Sequence, residues 1–235
     1  PNTWTKMVEI LLFWAAKGVD AFRCDMAEMV PVEFWEYAIK EVKSKFPAIE
    51  FIAEVYNPAQ YRSYIHTGGF DYLYDTVGLY DTLRAIVCRQ APSSHITQAW
   101  QATDDVKQHM LYFLENHDEQ RIASDFFCGN ARLAFPALAV MALMGKNPLM
   151  IYAGQELGER GMDAEGFSGC DGRTTIFDYW SPETLRKLAA FPSPKSRTKK
   201  AGPELTECEA DIYRYYYQIL QLRQHHSAFV EGMFY

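Results

Sequence analysis

Two spacings of apolar residues alternate along this chain, one recurring at three to four positions and one running in short continuous blocks, with Gly, Pro and polar residues between them. Met7, Ile10, Leu11 and Trp14 share one helical stripe, which Asn2 or Thr3 can cap and Gly18 can end in the left-handed conformation. Trp35, Ala38, Ile39, Val42 and Phe46 form a second stripe, opened by Pro31 and stopped by Pro47. Apolar blocks at 20–25, 50–55, 70–75, 110–116 and 148–152 predict strands. The connections predict a short helix over 58–66, broken by Gly68 and Gly69, two helical pieces over 81–104 separated near Pro92, and a buried apolar helix over 131–144. Residues 155–180 are rich in Gly, Asp, Arg and Ser and too long for an ordinary connection, so they read as either a functional loop or a mobile one. Helices over 182–190 and from 205 to about 225 close the pattern. Strand and helix alternate five times without an internal repeat, which predicts an α/β fold with a parallel sheet and helices outside it.

The polar residues that interrupt this pattern sit at strand ends. In Gly18-Val19-Asp20-Ala21-Phe22-Arg23-Cys24-Asp25 the side chains of a strand alternate, so Arg23 and Asp25 share one face and Phe22 and Cys24 the other. The runs ending in Glu54 and in Glu115-Asn116-His117-Asp118 are also apolar strands that finish in acids, which makes three such strand ends with Asp25; Asp75, at the end of the 70–75 strand, can also face the site. One Arg-x-Asp is as readily a buried ion pair; three strand-terminal carboxylates predict a site, since active sites of α/β barrels lie at the carboxyl ends of the strands. Asp25 and Glu54 are one strand-helix-strand unit apart, and neighbouring strands lie about 4.8 Å apart. That spacing suits a nucleophile and an acid/base on a glycosidic bond, which the retaining mechanism needs at about 5 Å. Arg23 beside Asp25 is expected to hold that carboxylate ionised while Glu54 stays protonated.

Composition narrows the partners. With 235 residues and 49% hydrophobic content the chain can bury a core as one domain, and a formal charge of −7 argues against nucleic acid. The basic run at 195–200 reads as a solvated loop. The longest apolar run, 133–144, is shorter than the about 20 residues of a membrane span and carries Pro136. Five widely spaced cysteines, Cys24, Cys88, Cys128, Cys170 and Cys208, fit neither a disulfide framework nor a zinc site and are read as reduced. They lean toward a cytoplasmic setting, and location is otherwise left unassigned.

The stretches 18–25, 51–54 and 115–118 resemble three of the four hallmark motifs of the α-amylase family of glycoside hydrolases, in that family's order, and Ile151-Tyr152-Ala153-Gly154-Gln155-Glu156 resembles its eighth strand. The resemblance implies a partial TIM (β/α)8 barrel, strands four to eight with their helices, spanning residues 1–235. It implies Asp25 as the nucleophile that forms a covalent glycosyl-enzyme, oriented by Arg23, and Glu54 as general acid and then base. Asp118 would stabilise a distorted sugar through its hydroxyls and His117 would hydrogen-bond it. Glu115 and Asn116 are better read as fixing their loop. Tyr56 and Tyr74 can stack on sugar rings, although packing is the commoner use of such tyrosines.

The resemblance also implies an oligo- or polysaccharide substrate with α-glucosidic bonds and no cofactor. A calcium ion can belong to the inserted domain of the longer family members, but no ligand set for one is visible in these residues. Typical α-amylases carry Lys-His three and four residues after the nucleophile, where this chain has Glu28 and Met29. That departure leaves open an oligosaccharide-trimming or glucosyl-transferring enzyme. Retention of Asp25, Glu54 and Asp118 argues against a non-catalytic barrel relative serving a transporter, and neither a strand-borne Schiff-base lysine nor a late phosphate-binding loop supports an aldolase. Strands one to three of the family barrel have no counterpart here. Residues 1–235 alone are therefore expected to be inert and to present open strand edges that another copy, or the missing strands, would cover.

Overall fold

The computed structural model describes residues 2–161, 170–176, 182–190 and 205–232. Much of the 155–180 connection and the 195–200 basic run lie outside the described residues. The chain forms two compact units, Pro1–Thr82 with Ser94–Tyr112, and Leu83–Ser93 with Phe113–Tyr235.

In the first unit, α1 (Asn2–Ala15) leads through Gly18, at φ 88°, into β1 (Ala21–Cys24). Asn2 and Thr3 lie inside α1 rather than capping it, and the expected stripe does not face the core. Met7, Ile10 and Trp14 are exposed while Val8 and Ala15 are buried. α2 (Val32–Lys45) follows directly on Pro31 and buries Trp35, Ala38, Ile39 and Val42, as the spacing predicts. β2 (Glu50–Ala53) and β3 (Tyr72–Tyr74) come next, then the two predicted helical pieces, α3 (Asp81–Val87), which belongs to the second unit from Leu83 on, and α4 (His95–Ala102), and then β4 (Met110–Phe113). In place of the predicted helix over 58–66 there is a 3-10 turn, Pro58–Gln60, and a π turn, Ser63–Thr67.

β1, β2, β3 and β4 pair in parallel in chain order, with Arg23 opposite Ile52, Cys24 opposite Ala53, Ala53 opposite Leu73 and Tyr74 opposite Leu111. The helix-facing side of this sheet is an aromatic cluster. Phe51 and Phe70 are buried with Trp35 and Tyr64, and the Trp35 and Phe70 rings meet edge to face at 5.1 Å. Asp71 ties strand to helix, its carboxylate accepting from the Phe51 amide (2.7 Å) and pairing with Lys43 of α2 (2.5 Å).

The second unit holds β5 (Leu149–Met150), α5 (Phe135–Leu143), α6 (Glu183–Ala190), α7 (Glu207–His225) and a last turn of helix, α8 (Ser227–Val230). A 3-10 turn, Ala131–Ala134, precedes α5, so the predicted 131–144 helix is shorter than its apolar run. α7 starts with a capping box formed by Thr206 and Glu209. It packs on α5 through the stacked rings of Phe135 and Tyr215, 3.9 Å apart, while Arg223 donates to the Ala142 and Gly145 carbonyls at the end of α5. Among the described residues no helix is long and apolar enough to cross a membrane. All five cysteines are unpaired.

Asp75, expected from its strand-end position to face a site, is instead a buried cap. Its side chain accepts from the Leu79 amide (3.0 Å) and closes the π turn Thr76–Tyr80. Burial pushes its carboxyl from 3.8 up to about 6; the Leu79 and Gly78 amides pull back and the charge of Asp81 adds to the rise. The folded chain thus holds this proton at a pH where the unfolded chain has released it, so the group's contribution is full below about pH 4 and lost as pH rises through about 6. Urea unfolding at pH 4 and pH 7 should show an Asp75→Asn variant, which keeps the accepting oxygen, losing less stability over that interval than the parent. The expected difference is on the order of 3 kcal/mol, and parallel pH dependences would contradict it.

Candidate functional site

Parallel pairing of β1 and β2 brings their carboxyl ends side by side. Asp25 and Glu54 each lie one residue beyond the last residue of their strand. Arg23 reaches both: Nη1 is 2.6 Å from Asp25 Oδ1 and Nη2 is 2.9 Å from Glu54 Oε1. The expectation that Arg23 serves Asp25 is therefore incomplete, because the guanidinium is shared. Burial alone would lower the Arg23 pKa, but the Asp25 hydrogen bond and the Glu54 charge more than offset it, so the cation is strengthened. Tyr74 lies against the guanidinium at 5.4 Å and is 6% exposed, which is the packing use of this tyrosine. On the opposite face, burial pushes the Cys24 thiol up to about 12, with Arg23 drawing it partly back, so Cys24 is not a thiolate nucleophile.

The two carboxylates have different surroundings. Asp25 is 78% exposed and Glu54 only 4% at their side chains. Glu54 Oε1 also accepts from the Tyr56 hydroxyl (3.2 Å), and Oε2 accepts from the Met26 amide (2.8 Å). Each of these carboxylate contacts is with a donor. Met26 itself is left-handed, at φ 41° and ψ 45°, a conformation costing a non-glycine residue about 1–2 kcal/mol. The turn that follows is held by the Trp35 indole N–H donating to the Ala27 carbonyl (3.0 Å) and the Tyr64 hydroxyl donating to the Val30 carbonyl (2.9 Å). Glu28, in the same turn, accepts from the amides of Tyr56 (3.2 Å) and Asn57 (3.0 Å). Sequence reasoning noticed Glu28 only as a departure and left Tyr56 as a stacking candidate.

In the second unit, His117 Nε2 lies 3.1 Å from Asp118 Oδ2, both side chains about a third exposed. Asn116 Oδ1 accepts from the Asp118 and Glu119 amides, each at 2.8 Å, and Arg173 donates through Nε to the Asp118 carbonyl. Glu115 is fully buried against Arg121 at 2.7 Å and also accepts from the Ile122 amide (2.7 Å). Both residues thus fix the loop, as expected. Arg121 was missed by sequence reasoning: it donates further to Thr174 (2.7 Å) and the Ala153 carbonyl (3.0 Å) and lies over the Tyr152 ring at 4.0 Å. Burial raises the Glu115 carboxyl, and Arg121 only partly restores it. Among the described residues no group of three or more His, Cys, Asp or Glu side chains is placed to hold a metal ion.

With this geometry in view, the chain was compared with known proteins. The family model "Alpha amylase, catalytic domain" matches residues 1–232. The chain belongs to the α-amylase family. A curated family relative, the α-1,4-glucan:maltose-1-phosphate maltosyltransferase of Cereibacter sphaeroides, is 41% identical over 56 residues, covering 24% of this chain and 9% of that protein. The enzyme of the same name from Chlorobaculum tepidum is 32% identical over 73 residues, 31% of this chain and 11% of that protein. Among α-amylase-family structures, the cyclic α-maltosyl-(1→6)-maltose hydrolase of Arthrobacter globiformis superposes with a TM-score of 0.71 at 16% identity, covering 98% of this chain and 46% of its own. A cyclomaltodextrinase superposes at 0.70 and 19% identity, over 99% of this chain and 35% of that one. The chain thus spans less than half the length of these structures, and its fold class is the expected one, part of a TIM barrel.

The Glu115–Arg121 pair yields a stability test. Removing the cation with Arg121→Met leaves a buried, unpaired acid, and the expected loss in urea unfolding is about 3–5 kcal/mol. The double variant Glu115→Leu/Arg121→Met should recover most of it. A single variant as stable as the parent would show that the pair is not what holds this loop.

Proposed function

We propose that this domain cleaves α-glucosidic bonds of maltooligosaccharides or related glucans by the retaining route, with Asp25 as nucleophile and Glu54 as general acid and then base. The observation that carries this reading is the single guanidinium of Arg23 shared by two carboxylates at the ends of adjacent parallel strands, in a chain of the α-amylase family. Such sharing supports the short carboxylate spacing of about 5–5.5 Å used for retention over the about 6.5–9.5 Å of inversion. Exposed Asp25 has the access a nucleophile needs, and enclosed Glu54 is fixed in orientation by donors on both of its oxygens. His117 and Asp118 are assigned to the sugar hydroxyls.

A second reading, glucosyl or maltosyl transfer, is favoured by one observation: both curated relatives named above are maltosyltransferases. Transfer and hydrolysis share the glycosyl-enzyme and differ in whether a sugar or water accepts from it.

In the enzyme produced at its full native length, Asp25→Asn should lower turnover on maltooligosaccharides by several orders of magnitude, as expected when covalent catalysis is lost; near-normal turnover would sink the assignment. Glu54→Gln should damage cleavage of maltooligosaccharides far more than cleavage of an aryl glucoside with an activated leaving group, which needs no proton in the first step. Equal losses on both substrates would remove Glu54 from the acid role. Product profiles with and without added maltose acceptor separate transfer from hydrolysis.

A further inference from the structure

The turn after β1 and the segment after β2 grip one another in both directions. From the turn, the Met26 amide donates to Glu54 Oε2, and from the same turn the Glu28 carboxylate accepts two consecutive amides, Tyr56 and Asn57. Those amides belong to the residues that follow Glu54 by two and three positions. Fixing them sets the backbone of Tyr56, and with it the direction of the ring whose hydroxyl lies 3.2 Å from Glu54 Oε1. Asn57 is then free to start the next turn, its side chain accepting from the Ala59 amide (3.1 Å). Glu28 touches neither Asp25 nor Glu54 through any described hydrogen bond; its reach toward the chemistry runs through Tyr56.

We propose that Glu28 is a positioning residue for the proton-transfer step: by holding the Tyr56 and Asn57 amides it keeps the Tyr56 hydroxyl on Glu54 and so sets the orientation of that carboxyl. The proposal rests on Glu54 being the acid/base. It accounts for a side-chain acceptor at this place in the turn, where one oxygen, Glu28 Oε2, faces two amide donors. The supporting geometry is rigid, because the turn is pinned at Ala27 by Trp35 and at Val30 by Tyr64. Displacing Tyr56 leaves Glu54 with Arg23 and Met26 only, and the carboxyl can then turn away from the leaving-group oxygen.

Two measurements on the full-length enzyme test this. In the first, amide hydrogen exchange is followed at Tyr56 and Asn57, with Phe51, whose amide is held by Asp71, as the internal reference. Glu28→Ala should accelerate exchange at Tyr56 and Asn57 by about tenfold or more and leave Phe51 unchanged. In the second, kcat on maltooligosaccharides should fall by about 10- to 100-fold in Glu28→Ala with KM nearly constant, and several-fold less on an activated aryl glucoside. Glu28→Gln, which keeps an accepting oxygen, should stay within about threefold of the parent. Tyr56→Phe should reproduce the Glu28→Ala loss, and the double variant should be no worse than either single one, because both act through one contact. Unchanged exchange, equal losses on both substrates, or additive losses would each overturn the proposal. Failure of the parent enzyme to cleave any glucoside would instead sink the reading of Glu54, and it is seen in a different measurement from failure of the amide clamp.

Discussion

Two acids stand at the ends of adjacent parallel strands, and one guanidinium lies between them and reaches both. Arg23 can do so because it lies two residues before Asp25 on the same face of β1, while the register of β1 against β2 brings Glu54 beside it. The planar fork of the arginine places Nη1 in a hydrogen bond with Asp25 and Nη2 in a charge contact with Glu54, a spread of charge that a lysine ammonium cannot offer with the same fixed geometry. The neighbourhood is arranged around that shared cation. Tyr74 covers the guanidinium, Met26 takes a left-handed conformation so that its amide meets Glu54, and Tyr56 completes the donor set.

The second unit uses the same chemical pair for a different end. Glu115 and Arg121 are each 1% exposed, and the remaining donors of Arg121 are spent on a hydroxyl, a carbonyl and an aromatic face. A carboxylate enclosed in that way shapes its loop and has no access to a ligand. Asp25, with a comparable arginine contact but a mostly exposed side chain, keeps its access. Exposure separates Glu115 from Asp25, whereas Glu54, 4% exposed at its side chain, differs from Glu115 in sharing its guanidinium with a second, exposed carboxylate.

The strands and most helices were legible because their apolar spacing has one economical solution. The strands are shorter than the apolar blocks predict: they end at Cys24 and Ala53, and the acids stand one residue beyond, the Glu54 amide still donating to the Cys24 carbonyl (3.1 Å). Periodicity also misled at α1, since a stripe of Met7, Ile10 and Trp14 says which side is apolar without saying what meets it. Asp75 shared every local feature of the other strand-end acids. Its partner is an amide four residues on, available only because the chain closes a π turn there, and such turns have no clear pattern in sequence. Arg23, Asp25 and Glu54 were readable from their places on the strands, whereas Glu28 and Tyr56 meet across 28 positions through a backbone amide. A contact of that kind leaves no side-chain pairing for sequence to suggest.

The turn after β1 is held mainly by its own peptide groups: the Met26 amide, the Ala27 carbonyl and the Val30 carbonyl. Most of the hydrogen bonds that fix its course would therefore form whatever side chain stood at position 29, and Met29 is 74% exposed. Scaffold and surface are decoupled at this residue. The side chain at position 29 of this chain can therefore be exchanged, and with it the chemistry offered at the rim of the turn, without disturbing the hydrogen bonds that set the path of the backbone beneath.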